Sequence, residues 1–251
     1  MFLESLLDAV GISGFAFVLI FAAAFLGALV QGSIGFGLNL IVVPAVALFR
    51  PEALPGAAIV LALPMTLGSA AREWAHVDRT ALLWATLGRV PGIGIGIWIV
   101  TALDAEALAL AIGAMVIFAV VMSLASPTIQ ITRSSQAAAG FMGGVMGTSS
   151  SIGGPPLALL YQHSAGPIIR STLGAAFLIG TALSLIGLLA AGEIGRLHWQ
   201  LGFALVPGVL LGLWASRHLH GWLDRGWIRP CVLILCGVAG LAVIVGGLNK
   251  L

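Results

Sequence analysis

Long apolar runs, separated by short polar or glycine-rich punctuation, fill this chain from end to end. The first half holds five apolar segments, at about 11–30, 38–49, 54–71, 80–101 and 104–125. The second half holds five more, at about 136–147, 157–166, 171–191, 198–216 and 227–247. No charge lies between Asp8 and Arg50, nor between Arg133 and Arg170. Such runs exceed the ~20 apolar residues that span a bilayer as a helix. The predicted fold is an all-α polytopic membrane protein.

The first two segments of each half flank a break. One reads Gln31-Gly32-Ser33-Ile34-Gly35-Phe36-Gly37, the other Thr148-Ser149-Ser150-Ser151-Ile152-Gly153-Gly154-Pro155-Pro156. In lipid, backbone without helical hydrogen bonds survives only where protein or a water-filled cavity covers it. The flanking segments of the second half are too short for two full spans at 1.5 Å rise per residue. Each pair is expected to form a helix hairpin or a broken helix that reaches mid-membrane, followed by three transmembrane helices.

The halves are related. Ser33-Ile34-Gly35 and Ser151-Ile152-Gly153 stand 118 positions apart, as do Gly56-Ala57-Ala58 and Gly174-Ala175-Ala176. Val90-Pro91-Gly92 with Gly96 and Trp98 matches Val206-Pro207-Gly208 with Gly212 and Trp214 at offset 116, and Leu103-Asp104 matches Leu223-Asp224 at offset 120. Ordered matches with small offset changes indicate an internal duplication. Residues 1–128 form the first repeat and 129–251 the second, within one membrane domain. Matched breaks in paired repeats mark a central binding site in transporters.

The distribution of cations favours two inverted-topology repeats. With five crossings per half and an external N-terminus, Arg72, Arg79, Arg133, Arg170, Arg217, Arg225 and Arg229 face the cytoplasm, while Arg50, Arg196 and Lys250 face out. A parallel repeat splits the same residues evenly, so the positive-inside rule favours inversion. Trp74, Trp199, Trp222 and Trp227 fall at segment ends, where an aromatic belt places them. Trp98 and Trp214 are repeat mates and read as packing residues. Gly92, Gly94 and Gly96, with Gly208 and Gly212, put small residues on helix faces for close helix approach.

Composition narrows the chemistry. The chain is 60% hydrophobic and 8% charged with a formal net charge of +2, against roughly 25% charged in a soluble domain. No basic run suits nucleic acid. The N-terminus carries Glu4 and Asp8 and lacks a positive region, so the first apolar stretch is expected to remain in the mature protein. Cys231 and Cys236 have neither disulfide-oxidoreductase nor zinc spacing and read as core residues. No metal and no cofactor is expected.

All nine acids, Glu4, Asp8, Glu52, Glu73, Asp78, Asp104, Glu106, Glu193 and Asp224, lie near chain ends or in loops. A cation pathway built on buried carboxylates lacks its parts, which favours an anionic or neutral substrate. Arg89 is the only cation well inside a span, about ten residues into its segment, and its repeat mate is Leu205. A charge so deep needs a partner, and a bound oxyanion fits the guanidinium fork. Snorkelling or helix capping is the other reading. The breaks add helix N-termini, Gly32, Gly35, Gly37, Gly153 and Gly154 for close backbone approach, hydroxyls of Ser33, Thr148, Ser149, Ser150 and Ser151, and amide donors of Gln31 and Asn39. Close helix packing is the competing role for these small residues. Thr66, Ser69, Thr181 and Ser184 could line a route. Of the histidines, His76, His198, His218 and His220 read as loop or interface residues, and His163 as a loop residue. No catalytic cluster is present, so the chain is not expected to be an enzyme.

Gly32-Ser33-Ile34-Gly35-Phe36-Gly37 followed by Val43-Pro44 resembles the first signature of the sulfite exporter TauE/SafE family, also called the toluene sulfonate uptake permease family. Gly140-Phe141-Met142-Gly143-Gly144 through Gly153-Gly154-Pro155-Pro156 resembles its second. The resemblance covers nearly the whole chain. It implies a multi-pass secondary transporter of the bacterial inner membrane that moves sulfite, sulfoacetate or another sulfonate. An anion channel and a carrier of small carboxylates stand as alternatives. The partners expected are the small anion and membrane lipid; a homodimer is left open. No residue role comes from the resemblance.

Overall fold

The computed structural model describes residues 7–72, 74–125 and 129–223, with residues 237, 238, 240, 241, 244 and 245. Glu4, Glu73, Cys231, Cys236, Trp227 and most of the segment expected at 227–247 lie outside the described residues.

Nine helices, in chain order, carry the described part of the chain: α1 (Gly14–Ile34), α2 (Leu38–Phe49), α3 (Gly56–Arg72), α4 (Arg79–Ala102), α5 (Ala105–Ala125), α6 (Arg133–Ser149), α7 (Pro155–Tyr161), α8 (Gly166–Ala190) and α9 (Arg196–Leu223). No strand occurs among the described residues. Five helices, α1, α4, α5, α8 and α9, are long and apolar enough to cross a membrane. Several starts are capped by local polar side chains. Ser13 Oγ accepts from the Ala16 N–H at 3.2 Å, Asp78 from Ala81 at 3.0 Å and Asp104 from Ala107 at 2.8 Å. Each satisfies one of the donors that a helix start leaves free.

The first pair of segments is a hairpin. α2 folds back along α1, so that Gly11 before α1 and the Arg50 guanidinium after α2 lie side by side. The second pair is likewise reversed: α7 returns against α6, and Tyr161 at its end accepts a hydrogen bond from Gln136 Nε2 near the start of α6. Both breaks are therefore turned inward, away from the ends where their hairpins open.

Glycine sets the closest helix contacts. A Cβ on Gly88 would overlap the Ala137 carbonyl, and one on Gly92 the Phe141 carbonyl. From the facing helix, Gly140 meets the Ala85 carbonyl and Gly144 that of Arg89. These contacts weld α4 to α6. The same arrangement recurs between α9 and α1, where Gly208 and Gly212 meet the carbonyls of Phe21 and Phe25. Small residues let helix backbones approach where hydrophobic exclusion of water gives no drive. Gly94 departs from the expected pattern, since nothing lies within 4 Å of a Cβ placed there. It turns away from the α6 seam because two residues along a helix rotate the side-chain direction to another face. Trp98 and Trp214, expected to pack, stand 66% and 62% exposed on the apolar surface of the bundle.

The seam predicts a paired result in a thermal-unfolding assay in detergent. Gly88→Ala should lower stability by several kcal/mol, on the scale of core overpacking or worse, because the obstacle is backbone. Gly94→Ala should leave stability unchanged or raise it by up to about 1 kcal/mol through better helix propensity.

Candidate functional site

The first break is shorter than the sequence suggested. α1 continues through Gln31, Gly32 and Ser33 and stops at Gly35, whose φ of +96° places it in the left-handed region and whose N–H donates to the Gln31 carbonyl at 2.7 Å. Gly37 follows with φ +131°. Glycine adopts these angles without the Cβ penalty other residues meet. Leu38 N–H, at the start of α2, donates to Gln31 Oε1 at 3.0 Å, which ties the two arms across the turn.

The second break runs from Ser150 to Gly154. Ser151 holds φ +62°, a left-handed conformation that costs an L-residue about 1–2 kcal/mol. Two long-range bonds hold it there. Its Oγ donates to the Pro55 carbonyl at 2.9 Å, and its carbonyl accepts from Asn39 Nδ2 at 2.9 Å. The second break is thus anchored to the first hairpin and to the start of α3. α7 opens with Pro155 and Pro156 at its first turn, where proline's fixed φ fits. Prolines lack N–H groups, and Leu38 N–H is already engaged. The two helix starts therefore offer fewer donors to a ligand than free N-termini would.

Between the breaks lies a cavity of about 530 Å³, counting its open part, to which Gln31, Gly37, Asn39, Thr66, Arg89, Ser151, Gly153, Gly154 and Thr181 contribute. Phe36, Leu40, Ile59, Ala62, Ile152 and Phe177 supply apolar wall. Arg89 is 7% exposed. Its Nε is buried with no partner, and no acid pairs with it among the described residues. It does not snorkel. The guanidinium sits in a slot walled by glycine. A Cβ on Gly180 would overlap it, one on Gly147 would stand 2.8 Å from Nη2, and one on Gly153 3.1 Å from Nη2. Three elements, α6, the second break and α8, thereby leave room for one flat cationic group.

The structure gathers seven of the expected site residues around this cavity: Gln31, Gly37, Asn39, Arg89, Ser151, Gly153 and Gly154. The others are used elsewhere. Gly32 packs on Ser216 and Gly35 on Arg170. Ser33 Oγ donates to the Leu29 carbonyl at 2.9 Å, Ser149 Oγ to Val145 at 2.7 Å and Ser150 Oγ to Met146 at 2.7 Å. These are hydroxyls bonding back to their own helix, the ordinary fate of Ser within or just past a helix. Thr148 Oγ1 pairs with Ser184 Oγ at 2.8 Å. Thr66 and Thr181 line the cavity, and the Thr181 hydroxyl makes no hydrogen bond among the described residues. Phe36 and Gly147 sit within or beside the motifs and could have been read from them. Ile59 and Phe177 carried no signal, because apolar residues fill every segment. His163 and His76 are exposed, as expected of loop residues. No group of three or more His, Cys, Asp or Glu suited to a metal occurs among the described residues.

A second polar cluster lies at one end of the bundle. Asp78 accepts from Tyr161 Oη at 2.9 Å, Tyr161 Oη accepts from Gln136 at 3.0 Å, and Asp78 N–H donates to Thr172 at 3.0 Å. It joins α4, α6, α7 and α8 where the second hairpin opens.

An all-helical bundle with several membrane-length helices is that of a multi-pass membrane protein. The chain belongs to the sulfite exporter TauE/SafE family, whose profile matches residues 20–243. Comparison with curated proteins and with solved structures returns no match.

The glycine slot makes its own prediction. In Gly180→Ala the obstacle to the new methyl is the end of a flexible side chain, so the fold should persist while the guanidinium is displaced. Thermal stability should stay near wild type, and any ligand held by the guanidinium should bind about tenfold or more weakly by calorimetry, the scale of ~1.4 kcal/mol or more from misaligned charge-assisted hydrogen bonds.

Proposed function

We propose that this protein is a secondary transporter of the bacterial inner membrane, that it moves sulfite or a small organosulfonate, and that the anion binds in the central cavity against Arg89. The observation that carries the reading is Arg89 itself, a buried cation with no acid to neutralise it among the described residues, in the lining of a cavity between two breaks. Intramembrane charges persist where function requires them, and a planar guanidinium presents paired donors to an oxyanion. Family membership supports the choice of a sulfur oxyanion. The all-helical architecture supports the inner membrane, since outer-membrane spanning proteins are β-barrels. Membrane lipid covers the outward apolar side chains such as Phe15, Trp98, Phe203 and Trp214.

The reading includes two inverted-topology repeats, 1–128 and 129–251. Three features support it. The hairpins open at opposite ends of the bundle. The α4–α6 seam is mirrored by the α9–α1 seam, each pairing a Pro-Gly helix of one half with the first hairpin arm of the other. The repeat mates α3 and α8 pack on each other across the halves. Transport would then proceed by movement of one repeat against the other around the fixed site. With no buried carboxylate among the described residues to carry a proton, the substrate itself is the candidate carrier.

The test is uptake of labelled sulfite by liposomes containing the purified protein, in competition with taurine, sulfoacetate, sulfate, acetate and chloride. Saturable uptake blocked by sulfonates is the expected result. Arg89→Gln should reduce it roughly tenfold to hundredfold, the range of a lost charge-assisted hydrogen bond, with the protein still folded. Full uptake by Arg89→Gln would remove the cavity as the site.

A further inference from the structure

Asn39 has an amide whose orientation is decided by its neighbour. Its Nδ2 donates to the Ser151 carbonyl at 2.9 Å. A carbonyl accepts only, so the amide cannot be flipped without setting two acceptors against each other. Oδ1 is then fixed on the other side, where it is buried and has no hydrogen-bond partner. A buried acceptor without a donor is costly and calls for an explanation. Asn39 lines the same cavity as Arg89. The two are joined through one short stretch of backbone, because Ser151 holds Asn39 and Gly153, two residues on, flanks the Arg89 guanidinium.

The cavity lining therefore holds one positive charge and one fixed acceptor, the acceptor closed over in this conformation so that a ligand reaches it as the lining parts. A dianion placed there would leave a negative charge uncompensated and its oxygens facing Asn39 Oδ1. A singly charged oxyanion that still carries one acid proton meets both groups: its deprotonated oxygens take the donors of Arg89, and its O–H donates to Asn39. Thr181 can donate or accept and so does not discriminate, whereas an amide oxygen can only accept.

Resting on the reading of the cavity as the anion site, we propose that the protein selects the monoprotonated anion, hydrogen sulfite rather than the sulfite dianion, and that Asn39 Oδ1 is the group that reads the proton. Each substrate then brings one proton across with it, and no carboxylate relay is required. Asn39 is a specificity-determining residue of the site.

The experiment uses the reconstituted full chain, with equal pH on both sides of the vesicle. For wild type, the half-saturating concentration counted as total sulfite should rise as pH is raised through the second ionisation of sulfurous acid, and stay constant when counted as hydrogen sulfite. Methanesulfonate is a monoanion with no donor, so its inhibition should not change with pH. Asn39→Leu also removes the Nδ2 bond to Ser151, so it should weaken both anions, but hydrogen sulfite roughly tenfold more than methanesulfonate, the scale of a lost hydrogen bond in a buried site. The wild-type pH series needs no variant, so a folding defect in Asn39→Leu cannot hide the answer. Half-saturation in total sulfite that is flat or falls with rising pH overturns the proposal. Equal weakening of both anions by Asn39→Leu also overturns it, since that marks a structural role. Taurine and 2-hydroxyethanesulfonate carry their donor on the tail; sensitivity to Asn39→Leu confined to these two would overturn the acid-proton assignment. If wild type binds neither sulfite nor methanesulfonate, or if Arg89→Gln changes neither, the site reading itself fails, a result separable from loss of proton selectivity alone.

Discussion

A guanidinium held inside a membrane bundle, with no counter-charge among the described residues, constrains everything around it. Arg89 lies on a helix whose seam with α6 is made of glycine against carbonyl, and the side chain emerges beside the one stretch of α6 and its break that glycine keeps open. Taking a cation out of water costs several kcal/mol even after relaxation. No acid among the described residues lowers that cost. The surrounding elements offer space, hydroxyl and amide groups, and a cavity. On the proposed reading an anion supplies the counter-charge, and a ligand that binds one conformation better than another shifts the protein toward it.

The backbone adds a second constraint that meets the first. Non-helical segments in a bilayer must be covered by protein or by an aqueous cavity. Here the two breaks cover each other. Ser151, in a left-handed conformation, bonds to Pro55 and to Asn39 and so locks the second break onto the first hairpin. The same contacts shape the cavity and orient the amide that lines it, so fold and recognition rest on the same few bonds.

Much of this was legible in the sequence. Helix positions followed from unbroken apolar runs, and α2 was expected at 38–49 and is Leu38–Phe49. The glycine seams followed from small residues at helical spacing, except at Gly94, whose direction depends on which face of α4 meets α6. Arg89 stood out because a lone charge in an apolar run is rare whatever the fold.

Which polar residues face the cavity was decided only by tertiary structure. Sequence could mark both breaks but not where each helix stops, and the helices run several residues further than the motifs implied. That extension turned Ser33, Ser149 and Ser150 back onto their own carbonyls. It left Ser151, Asn39 and Gln31 as the polar groups at the junction. Asn39 was expected as a donor; its donor is used by Ser151, and its acceptor is what remains. The apolar run that crosses lipid is a local property, read one residue after another. The partner of an amide 112 positions away is set by how the halves pack, and only the folded chain specifies it.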